Sequence, residues 1–79
     1  MTAVSQEETI NVTINVTING EPGRYARGTS LAALIEQLNL TPQRIAVEHN
    51  REIVSKARWA ETRLEEGDQL EIVHFVGGG

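Results

Sequence analysis

Apolar and polar residues alternate from Ile10 to Ile18, with Ile10, Val12, Ile14, Val16 and Ile18 on one side and asparagine and threonine between them. A period of two predicts a strand with one buried face. Asn19-Gly20 follows, the pair that best tolerates the positive φ angles of a type I′ turn, so a second strand is expected over Glu21 to Ala26. Pro22 lies within it and has no ladder donor, which points to a sheet edge. From Asn11 to Asn19 the sequence repeats every four residues. A slip of four would keep each apolar side chain on its face, so the turn must set the register.

The period then lengthens. Leu31, Leu34, Ile35 and Leu38 recur at helical spacing and form one apolar stripe. Thr29 or Ser30 caps the start of this helix, Asn39 closes it, and Pro42 prevents it from running on. Ile45 to His49 reads as a strand, Asn50-Arg51 as a turn and Glu52 to Val54 as a short return. Trp59 and Leu64 fall in an irregular or briefly helical stretch that covers the end of the core. Glu66-Gly67-Asp68 signals another turn, and Leu70 to Val76 is the last strand. In phase, the helical stripe matches a sheet face of Ile14, Val16, Ile18, Ile45, Val47, Leu70 and Ile72. The order strand-strand-helix-strand-strand-strand predicts an α+β fold, a mixed β-sheet with one main helix packed across one face.

Length and charge narrow the function. The 79 residues allow one domain: a flexible leader over 1–9, of which Met1 to Glu8 is expected to be dispensable, a folded unit over 10–76 and a flexible glycine tail over 77–79. With no cysteine, disulfides, thiolate metal sites and cysteine nucleophiles are excluded. Seven basic residues against 11 acidic ones give a net charge of −4, which argues against nucleic acid as a partner. No apolar run approaches the roughly 20 residues of a membrane span, and the polar, acidic N-terminus does not resemble a signal peptide. A cytoplasmic protein is expected. The sequons at Asn11 and Asn15 are then ordinary polar positions of a strand.

Candidate chemistry is sparse. His49 and His74 have no accompanying ligands at metal-site spacing, so they read as structural or surface residues and no metal is expected. Lys56, Arg58 and Arg63 form a modest basic cluster that reads as a solvated rim. No catalytic triad, paired-carboxylate cleft or phosphate loop can be assembled, so the chain is expected to be no enzyme and to hold no cofactor. A carrier or adaptor remains.

The last three residues stand apart. Gly77, Gly78 and Gly79 follow directly on a strand, yet glycine has the largest ordering entropy and adds nothing to stability here. Such a segment is either a plain flexible tail or a cloning remnant, or a thread of about 10 Å that can carry a carboxylate into a narrow channel. In the strand before it, Leu70 and Ile72 share the core face while Val73 and Phe75 share the other. A single sheet with one helix has nothing of its own to cover that second face, unless the Trp59 segment or the leader folds over it. Val73, Phe75 and Val76 are therefore the expected partner-binding residues.

The stretch Ala46-Val47-Glu48-His49-Asn50-Arg51-Glu52-Ile53-Val54, then Arg58-Trp59-Ala60, then Leu64 to Ile72 with its Glu-Gly-Asp turn, and the end Val76-Gly77-Gly78-Gly79 together resemble the ThiS sulfur carriers of thiamine biosynthesis. The resemblance covers about Ile14 to Gly79. It implies a ubiquitin-like β-grasp fold and a mechanism. In that mechanism the Gly79 carboxylate is adenylated with ATP by an E1-like adenylating enzyme and converted to a thiocarboxylate by a persulfide sulfur donor. The thiocarboxylate then gives its sulfur to thiazole synthase for thiazole biosynthesis, with Gly77 and Gly78 threading the tail. Two other readings stay open. The small subunit of molybdopterin synthase shares fold and Gly-Gly end, but tends to carry a Pro-Pro pair where this chain has His74-Phe75-Val76. A β-grasp binding module without conjugation chemistry would not need Gly79.

Overall fold

In a computed structural model of the chain, residues 13–76 are described. The expected strand at Ile10–Ile18 is seen as β1, Thr13–Ile18, its first three residues lying outside the described range. Ile14 and Val16 are buried, as the alternation requires. Asn19 and Gly20 take φ of 52° and 84°, as a type I′ turn demands, and lead into β2, Glu21–Ala26. β2 pairs with β1 alone and forms an edge, with Pro22 opposite Thr17.

The helix α1 spans Leu31–Gln37. Of the two possible caps the fold uses Ser30, whose Oγ accepts from the Ala33 N–H at 3.1 Å. The Thr29 hydroxyl instead donates to the Ala26 carbonyl at 2.7 Å. Asn39 ends the helix in the left-handed region at φ 59°. Around it the Asn39 N–H bonds the Glu36 carbonyl and the Leu40 N–H bonds the Ile35 carbonyl, the two bonds of a Schellman termination.

The remaining strands are β3, Ile45–His49, β4, Glu52–Val54, and β5, Gln69–His74. Sheet order is β2-β1-β5-β3-β4, with β5 parallel to β1 and antiparallel to β3. The last strand in sequence thus becomes the middle strand in space. It ends at His74 rather than at Val76; among the described residues beyond it, the Phe75 N–H continues the ladder, donating to the Arg44 carbonyl at 2.8 Å.

Leu31, Leu34 and Ile35 of α1 are buried with Ile14, Val16, Ile45, Val47, Leu70 and Ile72 of the sheet. Ile18 and Leu38 pack at the rim rather than in the centre. Trp59 and Leu64 close one end, as expected. Trp59 sits in a 3-10 turn, Lys56–Glu61, and its indole N–H donates to the Val54 carbonyl at 2.9 Å. The following segment is tied to the helix start, with the Leu31 N–H on the Thr62 carbonyl and the Leu64 N–H on the Thr29 carbonyl, both 2.9 Å.

Candidate functional site: the open face of the central strand

What leads to the glycine tail is β5, and the fold fixes that strand from both sides. β1 pairs with it only at Thr17–Gln69 and Ile18–Leu70, because the chain then turns away at Asn19. The Asn19 side chain continues the ladder in place of a backbone. Its Oδ1 accepts from the Ile72 N–H at 2.7 Å, and its Nδ2 donates to the Ile72 carbonyl at 3.2 Å. On the other side Asn50, at φ 52°, holds Gln69 with its backbone N–H and its side chain together. The Asn50 N–H donates to the Gln69 carbonyl at 2.8 Å, and its Oδ1 accepts from the Gln69 N–H at 2.9 Å. Each asparagine is needed twice, once for a left-handed turn and once for a side-chain amide that imitates a peptide group.

Asp68 anchors the start of the strand. Its carboxylate is buried and accepts from His49 Nε2 at 2.7 Å, from Asn50 Nδ2 at 3.1 Å and from the Glu65 N–H at 2.8 Å. Burial alone would push its pKa up, but these donors outweigh that and hold it below the usual aspartate value. Glu66 beside it is also held low, chiefly by the Asn15 N–H and then by the Asn15 side-chain amide. His49 therefore serves the fold. His74 is exposed, and among the described residues no three His, Cys, Asp or Glu side chains come together as a metal site.

Beyond this anchor the strand offers its second face. Leu70 and Ile72 point under α1, whereas Val73 stands on the opposite side of the sheet, 52% exposed. Phe75, two residues on, is 59% exposed and Val76 95% exposed. Trp59 belongs to the core under the helix and does not cover Phe75. Ile53, which the sequence pattern did not single out, joins this face: it is 74% exposed and opposite Glu48 on β3. Over β1 and β2 the same side of the sheet is polar, carrying Thr13, Asn15, Thr17 and Arg24. The apolar groups are thus gathered on the β5-β3-β4 half, next to the exit toward Gly77.

Gly77, Gly78 and Gly79 lie outside the described residues, as does the leader. Of the basic cluster, Arg58 faces Glu61 at 3.9 Å and Arg63 donates to the Gly28 carbonyl at 3.0 Å. Those two side chains are engaged within the fold, in keeping with a rim. The roles of Asn19, Asn50 and Asp68 were not read from the sequence, which marked them only as turn residues. Their signal is an asparagine or aspartate at a turn that abuts a central strand.

Comparison with known proteins agrees with this fold. A family model described as the ThiS family matches residues 16–79. The sulfur carrier protein ThiS of Bacillus subtilis is 38% identical over 63 residues, covering 78% of this chain and 96% of that protein. Thiazole synthase of Magnetococcus marinus is 41% identical over 66 residues, 84% of this chain, and the chain spans only 20% of that longer protein's length. The crystal structure of the thiamine biosynthesis protein ThiS from Geobacter metallireducens superimposes with a TM-score of 0.74 at 29% identity, covering 84% of this chain and 100% of that one. The five-stranded mixed sheet with its single main helix is the ubiquitin-like β-grasp.

Proposed function

The chain belongs to the ThiS family, and from that premise we propose that it is a sulfur carrier of thiamine biosynthesis, not an enzyme, whose working group is the carboxylate of Gly79. The observation that carries this reading is the extent of the family match, which runs from residue 16 through the three glycines to residue 79.

The chemistry assigned to the tail follows from the weakness of a carboxylate as an acyl donor. An E1-like adenylating enzyme joins the Gly79 carboxylate to AMP, releasing pyrophosphate from ATP. The terminal sulfur of a persulfide donor then attacks the acyl carbon and AMP leaves, giving an acyl disulfide. A thiol cleaves the S–S bond, and the two electrons it supplies leave a thiocarboxylate on Gly79 and a new disulfide elsewhere. The thiocarboxylate sulfur is a strong nucleophile and passes to thiazole synthase. Thiazole synthase is favoured as recipient because relatives bearing that name include a region similar to this chain within a longer polypeptide.

The fold suits the carrier's part of this sequence. Gly77 and Gly78 have no side chains to obstruct a channel, and β5 gives them a rigid base. Val73, Phe75 and Val76 are the docking groups, placed where a partner holding them would direct the tail into its active site. Catalysis belongs to the partners, as for other group carriers.

The test is the intact mass of the chain after incubation with ATP, the adenylating enzyme and a persulfide donor. Replacement of one oxygen by one sulfur is expected, and its absence, with the same enzyme active on another carrier, overturns the reading. The assignment also requires Gly79 to end the mature polypeptide, which the same spectrum reads directly.

A further inference from the structure

On the open face of the sheet two carboxylates stand directly opposite each other. Glu48 of β3 is paired with Glu71 of β5, and Ile53 of β4 completes the row on the far side of Glu48. In the next row Ala46 lies opposite Val73, and beyond it the Phe75 N–H meets the Arg44 carbonyl. Glu48 is half-buried between its neighbours and Glu71 is exposed. Neither is in an ion pair among the described residues. Like charges directly across a ladder destabilise a sheet, and here the pair is bordered by exposed Ile53 across the ladder and by exposed Val73 along β5.

We propose that this face docks a partner protein that sets an arginine or lysine side chain between Glu48 and Glu71, with apolar side chains around it resting on Ile53, Val73 and Phe75. The proposal rests on the carrier reading and specifies the chemistry of the surface that receives the carrier. One cation satisfies both carboxylates at once, so the repulsion tolerated in the free chain becomes attraction in the complex. The surrounding apolar contacts exclude water and strengthen that attraction. The same charges reject other occupants. A second copy of this chain meeting face to face would bring four carboxylates together, and a phosphate-rich surface would be repelled. The contact also lies on the strand that leads toward the tail.

The experiment uses the full chain and the E1-like adenylating enzyme. Affinity is measured by calorimetry at two salt concentrations, and melting temperature is recorded for each variant. Glu48→Gln with Glu71→Gln is expected to weaken binding at least tenfold and to flatten its salt dependence, while the melting temperature holds or rises. Glu71→Lys creates a cross-strand ion pair with Glu48, so it should raise the melting temperature and weaken binding further. Unchanged affinity in both variants, with the wild-type chain binding and gaining sulfur, overturns the cation-docking proposal and leaves the carrier reading intact. A falling melting temperature in both variants also overturns it, because the pair then serves the fold. A dimer of the wild-type chain that dissociates on Glu71→Lys would likewise count against it. Failure of the wild-type chain to gain sulfur, with the enzyme active on another carrier, overturns the reading on which the proposal stands.

Discussion

On β5, Leu70 and Ile72 point under the helix and are 1% and 7% exposed, whereas Val73 and Phe75 face away and are 52% and 59% exposed. The four side chains are alike in hydrophobicity. What separates them is that a single layer of sheet has two sides and the described residues supply one α-helix, which covers one of them. Apolar residues on the covered side hold the fold together. On the uncovered side they contribute little to folding and remain available to another surface. The same strand is fixed at its inner face by packing, at its start by Asn50 and Asp68, and at Ile72 by Asn19. Its outer face can therefore be rigid without being covered, which favours affinity because little ordering remains to be done on binding.

The contrast can be broken first at the covered side. Leu70→Ala, or Leu34→Ala above it, removes buried methyl groups from a packed core and should cost about 2–5 kcal/mol in denaturant unfolding. A loss below half that range would mean that the core relaxes around the gap. The next effect lies at the strand's edge. Asn19→Ala leaves the Ile72 N–H and carbonyl without their side-chain partner and should cost about 1–3 kcal/mol, read from the same unfolding curves. Faster amide exchange at Ile72 would locate the damage.

Acid should weaken the anchor. The Asp68 pKa is lower in the folded chain than its ordinary value, so the folded state binds fewer protons than the unfolded one through that window. Its stabilisation is fully present above the unfolded value and is lost as pH falls through the folded one. Stability should therefore decline on acidification from about pH 5 downward. Asp68→Asn should reduce the slope of that decline and lower stability at neutral pH. An unchanged slope would mean that other carboxylates govern acid unfolding.

Most of the fold was legible because its signals are local. The alternation before Ile18, the stripe through Leu31, Leu34 and Ile35, and the Asn19-Gly20 turn each fix an element from a few adjacent residues. The open face was legible as well, since Val73 and Phe75 have the opposite parity to Leu70 and Ile72. Four features were not. The partnership of Asn19 with Ile72 spans 53 residues, and turn propensity carries no information about a strand so distant. Asp68 read as a turn residue because its donors come from β3, the following turn and Glu65. Ile53 was missed because a three-residue strand is too short for its alternation to show which way it faces. The end of β5 was placed two residues late, since Phe75 and Val76 are strong strand formers and nothing in the sequence reveals that the ladder partner stops at Arg44.

The smallest expected effects on folding belong to the uncovered side and to the glycine tail. Deletion of Gly79 should abolish sulfur loading, measured by intact mass, while binding to the adenylating enzyme and the melting temperature stay as they were. A shortened chain that still gains sulfur would remove the terminal carboxylate from the mechanism.

The division of labour on β5 is tested most directly by Phe75→Ala, with affinity for the adenylating enzyme and unfolding free energy measured on one preparation. Stability should change by less than about 0.5 kcal/mol, as for an exposed surface position, while binding weakens by more than about 1 kcal/mol, as for an aromatic anchor. Unfolding of the domain with no separate loss of affinity would place Phe75 with the core and contradict the docking face.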